Sequence, residues 1–436
     1  MARRIVLGAA AATVVAAALL LGGLFRSASS AGPAVGAPAQ AATGQLQTGF
    51  SAGDTVGLVT RLQAALRTDP GNVKGLDLLG LAYQQRARET GDPAYYTKSD
   101  GVLRRALALA PDDLLATSGL GSLALSRHRF AEALRLGRRA RAISPTTARN
   151  YGVVGDALVE LGRYREAFRA FDTMASLRPG LAAYARVSHA RELLGRIDPA
   201  IAAMKLALDA AAGQPEATAW THVQLGKLYW LRGQLGPAGR EYRAALVAFP
   251  GYVYGFDALA QVEWAEGHLA HAIALERRAA ETIPLPQFVA ALGDMYARTG
   301  RQRLARQEYD LIGVIERLLR ANGVKTDLET ALFDADHRRP DVALARLAER
   351  QRPSIDGDDV LAWTLARSGR CAEALPWSER ALRLGTRDAL KLFHRGSIAG
   401  CLGDRAGERL YLGRALALNA HFSVLWAPVA RKEVSS

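Results

Sequence analysis

The chain of 436 residues carries 56 Lys and Arg against 42 Asp and Glu, which gives a formal net charge of +14 at pH 7. Apolar residues make up 49% of it and charged residues 22%, a globular composition that excludes a disordered or collagen-like chain. Length alone would predict about three domains.

The N-terminal segment has the layout of an export signal. Residues 5–25 contain no charge and no proline, Arg3 and Arg4 precede them, and small residues with Pro and Ser follow. This order is typical of a secretory signal peptide, and the run is also long enough to span a bilayer as an uncleaved anchor. We therefore expect a signal peptide or membrane anchor at 1–26 and a flexible linker at 27–53. Both alternatives predict that the chain is exported across the cytoplasmic membrane and is secreted or anchored there.

Beyond this segment the chain repeats one helical pair about ten times. Prolines follow Ala-rich amphipathic stretches at steps of 34, 34, 71 and 34 residues, and glycines lie half-way between them at steps of 33, 38, 34 and 33. The prolines are Pro111, Pro145, Pro179, Pro250 and Pro284, and the glycines are Gly162, Gly195, Gly233, Gly267 and Gly300. A fixed period of this size predicts stacked supersecondary units, which extend without closing a single core.

The copy from Ala148 to Leu181 shows the unit most clearly. Apolar residues recur at three- and four-residue steps in both halves, which indicates two amphipathic helices. Gly162 separates the halves as a C-cap, and Pro179 stops the second helix. Gly155 is small, as expected where two antiparallel helices approach closely.

These positions resemble the tetratricopeptide repeat (TPR), a 34-residue unit with Leu-Gly, Tyr, Ala, aromatic, Ala and Pro landmarks at fixed places. The copy from Ala219 matches best, with Leu225, Gly226, Tyr229, Ala238, Tyr242, Ala245 and Pro250. The resemblance covers about residues 54–419 and is to an exported, bacterial-type TPR protein. It implies an all-α fold, an α-solenoid of about ten helix-turn-helix TPR-like repeats that form a right-handed superhelix.

The repeat frame also predicts how the chain is divided. The helix after Arg303 runs past the usual proline stop, so we expect a joint there between two arrays. The first TPR array would cover 54–320, the second 324–420, and a C-terminal tail 421–436.

The resemblance implies a binding surface, because in TPR proteins positions 2, 5, 9, 12 and 13 of each first helix line the concave groove. In this frame Trp220 and Tyr254 share position 2, and Trp230 and Trp264 share position 12. Aromatic residues with a polar edge often anchor interfaces. The alternative is that the assignment of repeat positions is shifted by two residues. Trp220 would then be an ordinary core residue.

The predicted partner-binding groove is therefore centred on two short aromatic rows with polar residues between them. It comprises Trp220, Lys227, Trp230, Tyr254, Asp257, Gln261 and Trp264. The same positions in the two preceding units are Arg149, Asp156, Val159, Glu160, Ala182, Ala185, His189, Glu192 and Leu193.

Cys371 and Cys401 are the two cysteines of the chain. In TPR packing, Cys371 begins the second helix of one unit and Cys401 ends the first helix of the next, which places the two ends side by side. Outside the cytoplasm such thiols tend to oxidise. The resemblance therefore implies a disulfide that closes a loop of about 30 residues, and the alternative is a pair of buried free thiols.

The sequence offers little for catalysis or metal binding. His268 and His271 are three apart on a helix and could share a metal ion, but the sequence suggests no third or fourth ligand nearby. Nucleophile-elbow, P-loop, H-E-x-x-H and dinucleotide motifs do not occur in the sequence. We therefore expect no enzyme, no catalytic residue, no metal and no cofactor.

The predicted function is that of a non-catalytic extracytoplasmic TPR scaffold, which binds a protein or peptide partner in its concave groove. Membrane contact would occur only through the N-terminal segment, and no nucleic acid is expected. The alternative is a basic envelope-associated protein that its excess arginine holds to an anionic cell-wall polymer or lipid surface.

Overall fold

The computed structural model describes residues 54–337 and 339–435, and it forms 22 α-helices and no strand over these ranges. The helices are α1 Thr55–Thr68, α2 Val73–Thr90, α3 Ala94–Leu109, α4 Leu114–Ser126, α5 Phe130–Ile143, α6 Ala148–Glu160, α7 Tyr164–Leu177, α8 Leu181–Leu193, α9 Ile197–Ala211, α10 Pro215–Leu231 and α11 Leu235–Ala248. They continue as α12 Val253–Ala265, α13 Leu269–Thr282, α14 Pro286–Arg298, α15 Gln302–Ala321, α16 Asp327–His337, α17 Val342–Gln351, α18 Ile355–Arg367, α19 Cys371–Ala381, α20 Ala389–Cys401, α21 Arg405–Leu418 and α22 Trp426–Ser435.

Consecutive helices pair as antiparallel hairpins, which we number unit 1 (α2–α3) to unit 10 (α20–α21). Each helix packs mainly on its neighbours in the chain, and the first helices of successive units also pack on each other, as α4 does on α6. Contact between neighbours in sequence is what defines a solenoid. The predicted all-α solenoid of about ten TPR-like repeats is thus confirmed.

Small residues allow the two helices of a hairpin to approach closely. A Cβ atom at Gly155 of unit 3 would overlap the ring of Phe171 on the opposite helix. Gly226 and Tyr242 have the same relationship in unit 5. The reason inferred from the sequence for glycine at this position therefore agrees with the packing.

The localisation prediction is corrected by the structure. No helix in the described ranges is long and apolar enough to cross a membrane. The segment at 5–25, on which the predicted signal or anchor depends, and the linker at 27–53 lie outside the described residues. Nothing in the structure therefore supports an exported, secreted or membrane-anchored chain.

The predicted disulfide is confirmed. Cys371 begins α19 of unit 9 and Cys401 ends α20 of unit 10, and the two residues are bonded with their Cα atoms 6.2 Å apart. The bond links two neighbouring units and closes a loop with a sequence separation of 30.

The later units lie against the earlier ones through a regular series of turns. The hairpin turn of each of units 2, 3, 4 and 5 contacts the chain where the second helix of a later unit ends. The later unit is always five places further on, so the partners are units 7, 8, 9 and 10 respectively. In the first of these contacts the Lys325 backbone N–H donates to the Arg127 carbonyl at 3.1 Å. In the last, the Asn419 side-chain amide donates to the Trp230 carbonyl at 2.9 Å.

Three glycines of these turns have both a left-handed backbone and a close neighbour. Gly162, Gly195 and Gly233 have φ values of 69°, 68° and 67°, a region that suits glycine. A Cβ atom on each would overlap a backbone carbonyl oxygen far along the chain, those of Pro353, Gly385 and Leu418 respectively. The turns therefore meet backbone to backbone.

Unit 2 achieves the same contact without glycine. His128 takes the left-handed place with φ 54°, an uncommon conformation for a residue with a side chain. Its ring is buried, and Nδ1 lies 2.8 Å from the Lys325 carbonyl oxygen. Contact with the Lys325 backbone thus offsets the cost of the left-handed conformation of His128.

Candidate functional site

The coiling of the chain forms a cavity of about 270 Å³ between units 3 to 5 and the segment that joins units 8 and 9. Its floor is formed by α6, α8 and α10, the first helices of units 3, 4 and 5. Its roof is the linker that leads into α18 together with the first two residues of that helix. The floor residues include Asp156, Val159, Glu160, Ala185, His189, Glu192, Leu193, Trp220, Gln224, Lys227 and Leu228, and the roof residues are Arg352, Ser354, Ile355 and Asp356.

The floor has the periodicity of the repeat. Asp156, His189 and Lys227 occupy the ninth position of three successive units, and all three line the cavity. Equivalent positions of stacked helices lie side by side because the helices are related by one repeating step. The cavity therefore presents an acid, an imidazole and an amine in a row.

A buried arginine holds the roof onto the floor. Arg352 forms ion pairs with Glu160 on α6 and, at 3.1 Å, with Glu329 on α16. Burial disfavours the charged form of Arg352 and so acts to lower its pKa. The carboxylates of Glu160, Glu329 and Asp356 outweigh burial and raise the pKa of Arg352 above its ordinary value. Breaking such a buried pair leaves an uncompensated charge, so the roof is fixed to unit 3.

The start of α18 is fixed in a second way. The Tyr164 hydroxyl accepts a hydrogen bond from the Ile355 backbone N–H at 2.7 Å. Ser354 is the N-cap, and its hydroxyl accepts from the Gly357 N–H at 3.3 Å. Asp356 pairs with Lys391 at 2.8 Å. Although burial opposes it, Lys391 and Arg352 hold the pKa of Asp356 at about 2.

The floor combines polar groups with an apolar base. His189 Nδ1 lies 3.1 Å from a Glu192 carboxylate oxygen, and the pKa of His189 is raised because this carboxylate outweighs burial. Asp156 is held by a bidentate contact from Arg186. Trp220 is only 3% exposed and forms part of the base. Lys227 is the exposed cation of the floor.

The residues predicted for the groove divide into two groups. Trp220 and Lys227 line the cavity. Asp257 lies next to them in unit 6, where burial raises its pKa to about 6 against the opposing charge of Lys227. Gln261 donates to Asp257 at 3.4 Å.

The other predicted aromatic residues lie outside the cavity. Tyr254 packs between Tyr252 and Phe288, with ring centroids 5.3 and 5.6 Å away. Trp230 and Trp264 are half-buried at the ends of α10 and α12. Over the described ranges neither aromatic pair is in ring contact, so the two rows are not continuous.

Sequence reasoning missed the roof. The roof residues Arg352, Ser354, Ile355 and Asp356 reach the cavity from about 190 residues away in sequence, for example at a separation of 192 between Arg352 and Glu160. The sequence contains no signal for which other unit this segment faces.

Comparisons with known proteins give fold-level likeness only. No family model and no curated protein matches the chain. Among solved structures, a human IFIT1 dimer with m7Gppp-AAAA is 15% identical with a TM-score of 0.48, covering 75% of this chain and 77% of that one. PilW, described as a type IV pilus biogenesis factor, is 16% identical with a TM-score of 0.39, covering 48% and 97%. YrrB, described as a TPR protein with an unusual peptide-binding site, is 17% identical with a TM-score of 0.29, covering 42% and 92%. The assignment as a TPR-like solenoid rests on the geometry of the chain itself.

Proposed function

We propose that this chain is a non-catalytic scaffold that binds an extended segment of a partner protein in the cavity between units 3 to 5 and the linker 352–356. The observation that carries the proposal is the cavity itself, because stacked first helices form its floor and a distant part of the chain roofs it. Pockets of this kind, apolar at the base with a few placed polar groups, are the usual sites of ligand binding.

The dimensions suit a short extended peptide. Three neighbouring helices spaced about 8–10 Å apart span about 18 Å. A peptide in extended conformation rises about 3.3 Å per residue, so about five residues would cross the floor. The cavity of about 270 Å³ would enclose the middle of such a segment. Lys227 and His189 would bind carboxylate or carbonyl oxygens of the segment, while Trp220 and Leu228 would contact an apolar side chain.

Both arrays would contribute to this function. We propose the array boundaries at 54–320 and 324–420, because α15 extends to Ala321 without a proline stop and α16 begins at Asp327. The first array would supply the floor and the second the roof, so neither would form the site alone.

A random peptide library displayed on phage, selected on the whole chain, tests the proposal. Enriched peptides should lose binding when Lys227 on the floor is changed to Glu. They should retain it in Lys205→Glu, because Lys205 is an exposed lysine of α9 outside the cavity. The two variants alter net charge equally.

Three outcomes would contradict the proposal. These are a failure to enrich any peptide, full binding by Lys227→Glu, and equal loss in both variants. Equal loss accompanied by steep salt dependence would fit attraction to an anionic surface instead.

A further inference from the structure

Four side chains with metal-ligating atoms meet at the hairpin turn of unit 6. Glu263 and Glu266 lie at the end of α12, and His268 and His271 lie at the start of α13. His268 Nδ1 is 2.9 Å from Glu263 Oε2 and 3.8 Å from Glu266 Oε2. His271 Nδ1 is 3.2 Å from the same oxygen of Glu263. The folded turn therefore supplies the third and fourth ligands that the sequence alone did not reveal.

The spacing of these atoms suits a small divalent ion. Zinc bonds to nitrogen and carboxylate oxygen are about 2.0–2.2 Å long, so ligand atoms at the corners of a tetrahedron lie about 3.4 Å apart. The separations of 2.9 Å for Glu263–His268, 3.8 Å for Glu266–His268 and 3.2 Å for Glu263–His271 bracket that value. Glu263, Glu266 and His268 form the group whose ligand atoms all lie within 4.8 Å of one another. Imidazole nitrogen with carboxylate oxygen is a donor set that zinc, copper and nickel accept.

Glu263 is held in place to act as the central ligand. It is 5% exposed, and its Oε1 accepts a hydrogen bond from Arg243 at 3.0 Å. Its other oxygen, Oε2, is thereby directed at the two imidazoles. Outer contacts of this kind orient the ligands of known metal sites.

The turn is also open to solvent. The turns of units 3, 4 and 5 are pressed against the second array, but a Cβ atom at Gly267 of unit 6 would meet nothing within 4 Å. The side chains of His268 and His271 are 60% and 58% exposed. Unit 6 is the next unit in this series, and its turn is not covered in the same way, so an ion can reach these ligands.

We propose that this turn binds one divalent transition-metal ion of the zinc class. The ion takes Glu263 Oε2, a Glu266 oxygen and His268 Nδ1, from three residues whose ligand atoms already lie within 4.8 Å of one another. The exposed side chain of His271, whose Nδ1 lies 3.2 Å from Glu263 Oε2, turns to become the fourth ligand. Each imidazole then carries its proton on Nε2, and protons held on Nδ1 leave to solvent when the ion binds. The site joins the two helices of unit 6 and is independent of the peptide cavity.

Calorimetric titration of Zn²⁺ into the untagged, chelator-treated chain at neutral pH tests the site. The expected result is one ion per chain. His268→Ala and His271→Ala should each weaken binding by about 10- to 100-fold or more, since even loss of an outer-shell partner has an effect of that size. The matched control is His222→Ala, because His222 contacts one carboxylate, that of Glu241, at 2.7 Å. It should bind Zn²⁺ like the wild type.

A thermal melt gives a second readout that does not depend on the heat signal. Saturating Zn²⁺ should raise the Tm of the wild type and of His222→Ala, since a ligand that binds the folded state stabilises it. The double variant His268→Ala/His271→Ala should show no such rise. Absence of Zn²⁺ binding by the wild type, or wild-type affinity in the double variant, would overturn the proposal. Equal affinity for Ca²⁺, which prefers six to eight oxygen ligands, would overturn it as well.

Discussion

The Tyr164 hydroxyl oxygen accepts a hydrogen bond from the backbone N–H of Ile355 at 2.7 Å, although the residues are 191 positions apart. Tyr164 begins α7 of unit 3, and Ile355 begins α18 of unit 9. The first N–H groups of a helix lack partners within it. A side chain from another turn of the superhelix therefore completes the start of α18 and fixes the cavity roof.

Tyr164→Phe removes this hydrogen bond and leaves the ring in place. We expect a loss of about 1–3 kcal/mol in the free energy of unfolding, because a buried backbone N–H is left unsatisfied. Urea denaturation followed by circular dichroism measures it. Tyr151→Phe is the control, because the Tyr151 hydroxyl makes an exposed, local bond to the Pro145 carbonyl. The free energy of unfolding of Tyr151→Phe should fall by no more than about 0.5 kcal/mol. Equal losses in the two variants would contradict the account of the roof.

Gly195→Ala tests the contact between turns of units five apart. Gly195 and Gly300 both have positive φ, 68° and 78°, so alanine at either position costs about 1–2 kcal/mol from backbone strain. At Gly195 the added methyl also overlaps the Gly385 carbonyl, whereas at Gly300 it meets nothing within 4 Å. We expect Gly195→Ala to lose a further ~1–3 kcal/mol, measured by thermal unfolding. Equal destabilisation would mean that the turns do not touch.

The sequence predicted the parts of the fold that depend on neighbouring residues. The glycine at the hairpin turn of unit 3, the close approach at Gly155 and the partner of Cys371 all follow from contacts within one or two units. The 34-residue period carries that information because every unit repeats the same local packing.

Contacts between distant units were beyond sequence reasoning. The pairing of Gly195 with Gly385 depends on the pitch of the superhelix, which sums small rotations over five units. A small error in each predicted rotation would sum over five units and would place the roof residues away from the floor helices. For the same reason the frame placed Trp220 and Lys227 in the cavity but gave no sign that Arg352 lies above them.

Asp77→Asn tests a buried carboxyl in unit 1. Burial, and then the neighbouring Asp113, raise the pKa of Asp77 to about 8. The folded chain therefore keeps a proton that the unfolded chain releases above about pH 4, and stability from this group falls as pH rises from about 4 to 8. Asparagine does not titrate, so Asp77→Asn should gain stability relative to wild type between pH 5 and pH 8.

Asp356→Asn is the control for that pH dependence. The pKa of Asp356 is held at about 2 by Lys391 and Arg352 against burial. Its contribution is complete above the ordinary pKa near 4 and is lost only as pH falls toward 2. The cost of Asp356→Asn should therefore change far less between pH 5 and pH 8 than the effect of Asp77→Asn, since only its weak coupling to His189 varies in that range. Chemical denaturation at pH 5 and pH 8 measures the difference in free energy of unfolding between each variant and the wild type. If that difference is the same at both pH values for Asp77→Asn, the raised pKa of Asp77 is contradicted.

Reduction of the Cys371–Cys401 bond should destabilise the chain. A closed loop with a separation of 30 contributes about 3–4 kcal/mol in the chain-entropy model. Thermal unfolding with and without reductant measures the difference, and Cys371→Ala/Cys401→Ala should behave like the reduced chain. Alkylation of the denatured, unreduced chain should add no mass. Two alkylated thiols in that experiment would contradict the bond.

The distance between the turns of units 4 and 9 tests the central claim most directly. Nitroxide labels can be attached at Arg196→Cys and Arg387→Cys, both exposed positions beside the Gly195–Gly385 contact. Double electron–electron resonance then measures the distance between the two labels. An open array would separate them by about 50 Å, because five units each add a helix spacing of about 8–10 Å. The stacked superhelix predicts one narrow population at less than half that distance. A broad distribution centred near the open value would contradict it, and the roofed cavity with it.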